Sequence, residues 1–184
     1  MVALRRFNSI VISIAFLLGS LSCTTLFSAN CQSTVNVTGL ISVDTTWNVA
    51  NSPYIVTNTV TVESPAILTI EPGVEVRFGT YGTLMINGGL IADGLPLNRI
   101  RFTTNAVDPP LFLQGISFWN GIDIYGVASI TYCDMFWASQ GLTLRSDGNT
   151  VGYCNISNCI DSGLNIGNGA KWSDIFWNTF YGSG

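Results

Sequence analysis

Two short patterns recur in step along the second half of the chain, and together they leave few folds open. Gly121-Ile122-Asp123-Ile124, Gly141-Leu142-Thr143-Leu144 and Gly163-Leu164-Asn165-Ile166 share the form glycine, apolar, any residue, apolar, with starts 20 and 22 residues apart. A second set keeps the same period. Ile130-Thr131-Tyr132-Cys133-Asp134-Met135 matches Val151-Gly152-Tyr153-Cys154-Asn155-Ile156, which matches Ile175-Phe176-Trp177-Asn178-Thr179-Phe180, at intervals of 21 and 24 residues. A fixed period near 20 residues is the signature of a solenoid whose repeats stack.

Apolar-x-apolar is the period-2 mark of a short strand with one buried face. The Gly, Asn, Asp and Ser clusters between such strands are turn-formers. A unit of this size cannot stand alone. Burying one Ile, Leu or Val side chain contributes about 1.5–3 kcal/mol, while ordering each backbone residue costs about 1–2 kcal/mol. Stacking units so that equivalent strands pair in parallel, about 4.8 Å apart, turns isolated apolar residues into continuous columns. Upstream the units are less regular but strand-sized. Tyr54-Ile55-Val56, Val60-Thr61-Val62, Leu68-Thr69-Ile70, Val74 to Phe78, Leu84-Met85-Ile86, Leu90-Ile91-Ala92 and Ile100-Arg101-Phe102 are separated by Ser64-Pro65, Glu71-Pro72-Gly73, Asn87-Gly88-Gly89 and Asp93-Gly94. Outside the first residues no stretch has a helical period, so the body is expected to be all-β.

The run Leu68-Thr69-Ile70-Glu71-Pro72-Gly73-Val74-Glu75-Val76-Arg77-Phe78, followed by Leu84 to Gly94 and by Ile100-Arg101-Phe102-Thr103, resembles the amino-terminal coils of secreted right-handed parallel β-helix repeat proteins of the pectate-lyase-like superfamily. Trp119-Asn120-Gly121-Ile122 and the Cys-Asn-Ile-Ser and Trp-Asn-Thr-Phe coils fit the same family. The resemblance covers about residues 40–184. It implies a right-handed solenoid over residues 54–184, with 23–53, including Trp47, as linker and N-terminal cap. It does not imply one activity, because the superfamily holds lyases, hydrolases and adhesins.

Arg5 and Arg6 precede the apolar run Ile10 to Leu18, which ends in Gly19-Ser20-Leu21-Ser22. A basic start, a short apolar stretch and small residues describe a secretory signal peptide over residues 1–22; a bilayer span needs about 20 uninterrupted apolar residues. Cleavage fits after Ser22 or after Ala29, and Ser20-Leu21-Ser22-Cys23 is a poor match to a lipoprotein acceptor. The expected location is extracellular or at the cell surface. Loss of residues 1–22 takes the net charge from −4 to −6.

Composition narrows the chemistry. The chain has no His, so it offers no Ser-His-Asp triad and no imidazole metal site. Its seven basic residues form no cluster, which argues against nucleic acid as a partner. No cofactor is expected. In a secreted chain five cysteines invite disulfides. Cys133 and Cys154 fall on equivalent positions of adjacent units, where in-register side chains are poorly disposed for a bond, so both are expected as buried thiols. Cys154 and Cys159 flank a turn, and Cys31 has no evident partner. Tyr132, Tyr153 and Trp177 form one column, and Cys133, Cys154 and Asn178 another. The resemblance places an Asn column at such a bend, bonding backbone groups, and two cysteines interrupt it.

Phe118-Trp119, Phe136-Trp137 and Phe176-Trp177 repeat a pair in which strand alternation buries one ring and exposes the other. Trp119, Trp137 and Trp177 are therefore candidates for stacking on sugar rings, with Asp123 and Asp134 nearby as polar partners. A glycosidase needs two carboxyls about 5–10 Å apart, and no catalytic residue is assigned. Enzymes of the resembling family use His with Arg-x-Lys, or calcium held by several acids, and this chain lacks the first set. Asn36-Val37-Thr38 and Asn155-Ile156-Ser157 are glycosylation sequons; Asn36 is the expected site, because Ile156 should be buried. Phe180-Tyr181-Gly182-Ser183-Gly184 carries no polar cap, which predicts a truncated solenoid or end-to-end association through the last coil. The leading expectation is a structural, adhesive or carbohydrate-binding protein that engages a polysaccharide or cell-surface glycan. The alternative is a polysaccharide lyase or glycoside hydrolase with catalytic coils elsewhere or with unpaired Asp residues.

Overall fold

The structure, a computed structural model, describes residues 34–105 and 118–182. The signal segment, Cys23, Cys31 and residues 183–184 lie outside the described residues. The chain winds into a parallel β-solenoid of about six turns. The first turn contains β1 (Val35–Ile41) and β2 (Thr45–Trp47), the second β3 (Tyr54–Val62) and β4 (Ile67–Ile70). The third holds β5 (Glu75–Phe78), β6 (Thr83–Ile86) and β7 (Gly89–Asp93), and the fourth β8 (Ile100–Thr104), β9 (Gly121–Ile124) and β10 (Val127–Thr131). The fifth holds β11 (Cys133–Phe136), β12 (Gln140–Leu144) and β13 (Thr150–Gly152). The sixth holds β14 (Asn155–Ser157), β15 (Ser162–Ile166) and β16 (Asp174–Phe176), and β17 (Thr179–Tyr181) begins another turn.

Three faces result. Face A stacks the first half of β3 with β5, β8, β11, β14 and β17, and face B stacks its second half with β6, β9, β12 and β15. Face C runs β2-β4-β7-β10-β13-β16. The two strands expected at Tyr54 and Val60 are one nine-residue strand. Thr57-Asn58-Thr59 between them contains no Gly or Pro to break the chain, so it bends from one face to the next while staying extended. Coils also begin earlier than residue 54. Strand β1 pairs in parallel with β3, and β2 with β4, so Trp47 is a coil residue whose ring stacks on Tyr54 at 4.9 Å.

The core is a set of columns. Val60, Leu84, Ile122, Leu142 and Leu164 align on face B; Tyr54, Val76, Phe102, Met135, Ile156 and Phe180 align on face A. On face C, Ala92, Ile130, Val151 and Ile175 sit in register, as the repeat requires. The repeated glycine has a mechanical cause. A Cβ at Gly121 would overlap the Gln140 carbonyl oxygen, and one at Gly141 the Gly163 carbonyl oxygen. Adjacent coils approach there too closely for any side chain.

Six of the corners carry a single left-handed residue. Tyr132, Tyr153 and Trp177 turn the chain from face C to face A with φ of 50°, 56° and 55°, and Tyr81, Trp137 and Asn158 turn it between A and B. Outside the first corner the Tyr132 and Tyr153 rings stack at 4.6 Å and 4°, with Phe176 edge-on to Tyr153. Inside it lies the Cys133, Cys154 and Asn178 column. The thiols continue the amide column rather than interrupt it. Cys133 Sγ donates to the Ala92 carbonyl at 3.2 Å, Cys154 Sγ to Ile130 at 3.5 Å, and Asn178 Nδ2 to Val151 at 2.9 Å. Each thus reaches the same position one coil back. Cys133 and Cys154 are buried free thiols, and Cys159 is buried as well.

Burial pushes the Cys133 thiol well above its ordinary pKa, and the adjacent Cys154 thiol adds to that shift. In the unfolded chain the thiol titrates near about 8.5, so the folded state holds the proton more tightly. This contribution to stability is complete below that value and declines as pH rises toward the folded pKa. In reducing buffer the urea midpoint is expected to fall between about pH 8 and about pH 10, and Cys133→Ala to flatten that fall. A decline of the same slope in the variant would show that Cys133 is not its source.

Candidate functional site: a trough on face C

The three Phe-Trp pairs have three different fates. Trp119 is 0% exposed, with its ring stacked on Phe78 at 4.0 Å and its indole N–H donated to the Phe136 carbonyl. It cannot meet a ligand, so it leaves the set of sugar-stacking candidates. Trp137 is half-buried, and Trp177 is 79% exposed. Both stand at left-handed corners just past a strand end, where the bend aims the ring and strand alternation no longer applies.

Asp123 and Asp134 do not converge. Asp123 lies on face B, where Arg145 binds it through Nε at 3.1 Å and Nη2 at 2.9 Å while also lying over the Tyr125 ring. Asp134 lies on face A, one coil later. It accepts from Arg99 Nε at 2.7 Å and from Asn155 Nδ2 at 2.8 Å. Arg99 also donates to the Cys133 and Tyr153 carbonyls, so it clamps three successive coils together. These carboxylates hold coils in place and are not paired across a bond to be cleaved. Asn36 is exposed on β1, with Ile55 beside it in the ladder; Asn155 is exposed too, but its amide is engaged by Asp134.

Face C carries a different feature. Its central outward column reads Thr46, Thr69, Ile91, Ser129, Thr150 and Asp174 from coil to coil. Beside it Ile67, Gly89 and Val127 align, and a depression of about 280 Å³ with aliphatic walls lies along them. A second depression of about 350 Å³, lined by Lys171, Trp172 and Asp174, shares Gly148 and Thr150 with the first. The two make one trough, open to solvent, that runs along the solenoid axis from the second coil to the sixth.

Trp172 stands at one end, 79% exposed on a loop of polar and small residues. The ring is free, but the backbone is held. Its N–H donates to Asp147 Oδ1 at 2.9 Å, and its carbonyl accepts from the Gly148 N–H at 2.7 Å. Asp147 Oδ1 also accepts from the Lys171 N–H, and the Asp174 N–H bonds the Asn149 carbonyl. Buried Ala170 pins the loop from beneath. With the backbone already held, binding a ligand fixes only the two side-chain torsions of the ring.

No family model, curated protein or solved structure matches this chain. The side chains of the trough therefore carry the functional argument. Repeat-based reasoning missed Trp172 because it lies outside the Phe-Trp pattern. Its sequence signal was the setting Gly-Asn-Gly-Ala-Lys-Trp-Ser, a turn composition around a single large aromatic residue.

Proposed function

We propose that this chain is a secreted or cell-surface parallel β-helix, right-handed and pectate-lyase-like, whose role is adhesive or carbohydrate-binding without catalysis. The observation that carries the binding role is Trp172, exposed on an anchored backbone at the end of the trough. Indole rings offer a large apolar face with little conformational entropy to lose, which suits the apolar face of a pyranose. Thr150 supplies a hydroxyl on the same surface, and Ser129 Oγ, whose proton goes to Asp93, is left as an acceptor for sugar hydroxyl groups. Export is supported by the basic, apolar and small-residue order of residues 1–22.

The test is a glycan array followed by calorimetry on the best ligand. Trp172→Ala is expected to weaken binding at least about tenfold, the loss of roughly 1.4 kcal/mol or more expected of an interfacial tryptophan. Its melting temperature should stay unchanged, because the ring is exposed. Trp177→Ala, on the corner between faces C and A, is expected to have a smaller effect. Unchanged affinity in Trp172→Ala would remove this site from consideration.

A further inference from the structure

We infer that the trough takes a linear, uncharged oligosaccharide lying parallel to the solenoid axis and spanning about four sugar rings; this rests on the carbohydrate-binding reading above. From Ile67 on the second coil to Asp174 on the sixth there are four coil steps, or about 19 Å at the usual strand spacing. That is too long for one or two rings to fill, and it is narrow because one strand face supplies the floor. A chain laid along it meets the same kind of surface from Thr69 to Thr150, a hydroxyl or a β-branched side chain in the central column, and Asp174 only at the last step.

Among the residues lining the two depressions only Lys171 and Asp174 are ionised, one of each sign and both beside Trp172. The remaining floor and walls are Gly, Ile, Leu, Val, Ala, Ser, Thr and Asn. A polyuronate would lay one carboxylate per ring over a surface with a single cation and pass Asp174 as well, so an uncharged chain fits better. Strands β4, β7, β10, β13 and β16 already bond one another across face C. An extended peptide gains its affinity from main-chain bonds at an open sheet edge, and the floor of this trough has no such edge. Recognition must therefore come from side-chain hydroxyls, aliphatic walls and Trp172, which is the surface a polyhydroxylated ring can use.

The experiment titrates the full chain with xylo-, cello-, manno- and chito-oligosaccharides of two to six units and with oligogalacturonate of equal length, following tryptophan fluorescence and heat. In at least one neutral series affinity is expected to rise about tenfold or more from two units to four and then level off, with little response to salt. Val127→Lys places a bulky charge on an exposed wall two coils from Trp172. It should lower affinity for the longer oligomers about tenfold while leaving the two-unit ligand unchanged. Affinity independent of length, or a Val127→Lys variant that binds long oligomers as well as the parent, would overturn the extended trough while leaving sugar binding at Trp172 intact. Preference for oligogalacturonate would overturn the uncharged ligand. Absence of binding to every oligomer would overturn both this inference and the carbohydrate-binding reading.

Discussion

Replacing Trp119 by alanine is expected to cost about 3–5 kcal/mol of stability, the range for a large aromatic removed from a closed core. Three losses coincide. The indole is fully buried and stacked on Phe78, which is itself 6.5 Å from Phe102 in an aromatic cluster spanning two coils. Its N–H satisfies the Phe136 carbonyl, which would lose that donor. The residue also forms a parallel bridge to Ala138, so the void would open where the fourth coil meets the fifth. In a solenoid each coil is supported chiefly by its neighbours, and the damage should reach both. Urea unfolding monitored by circular dichroism is expected to show the full loss, with melting lowered by on the order of 10 °C. Trp119→Phe, keeping the stack without the N–H donor, should fall between. A Trp119→Ala protein as stable as Trp172→Ala would mean that the core does not close around this ring.

Gly121→Ala is expected to be as severe, at about 4 kcal/mol or more, for a different reason. Gly121 has φ of 137°, a conformation open essentially to glycine alone. An added Cβ would also fall onto the Gln140 carbonyl, a backbone atom that cannot turn aside as a side-chain end can. The Gln140 N–H is bonded to the Asn120 carbonyl, so separating the coils breaks pairing next to the clash. Gly148→Ala is the matched control. Gly148 has φ of 79°, but nothing lies within 4 Å of its Cβ position, so it should show only backbone strain, about 1 kcal/mol. Side-by-side denaturation curves and proteolysis of the two variants measure the difference. Equal stability would show that coil contact at Gly121 is loose.

The two substitutions mark how far the sequence could be read. Gly121, Gly141 and Gly163 announced themselves by recurrence, and the physical reason, coil against coil, appeared only when the Gln140 and Gly163 carbonyls were placed beside them. Trp119 had the same sequence setting as Trp137 and Trp177, yet it is buried while Trp177 faces water. The distinction lies in the left-handed corners at Trp137 and Trp177, which redirect the ring. A left-handed bend at an aromatic residue leaves little trace in composition, since Gly and Asn are the usual signals for it. The cysteine column shows the same limit. Its register was readable, but that a thiol would bond the carbonyl one coil back in place of an amide depended on the turn of the corner.

What the sequence by itself determined is the solenoid. A 20-residue period with alternating apolar positions has one economical way to hide its apolar side chains, and parallel stacking in register provides it. Ile130, Val151 and Ile175 align because any slip by one residue would turn each of them outward. Only the tertiary structure decided the site. The trough draws its walls from Ile67, Val127 and Trp172, which are more than 100 residues apart end to end and share no pattern. A repeat constrains what each coil must bury, because every neighbour depends on it, whereas the outward positions answer to no such demand and meet only when the chain has wound.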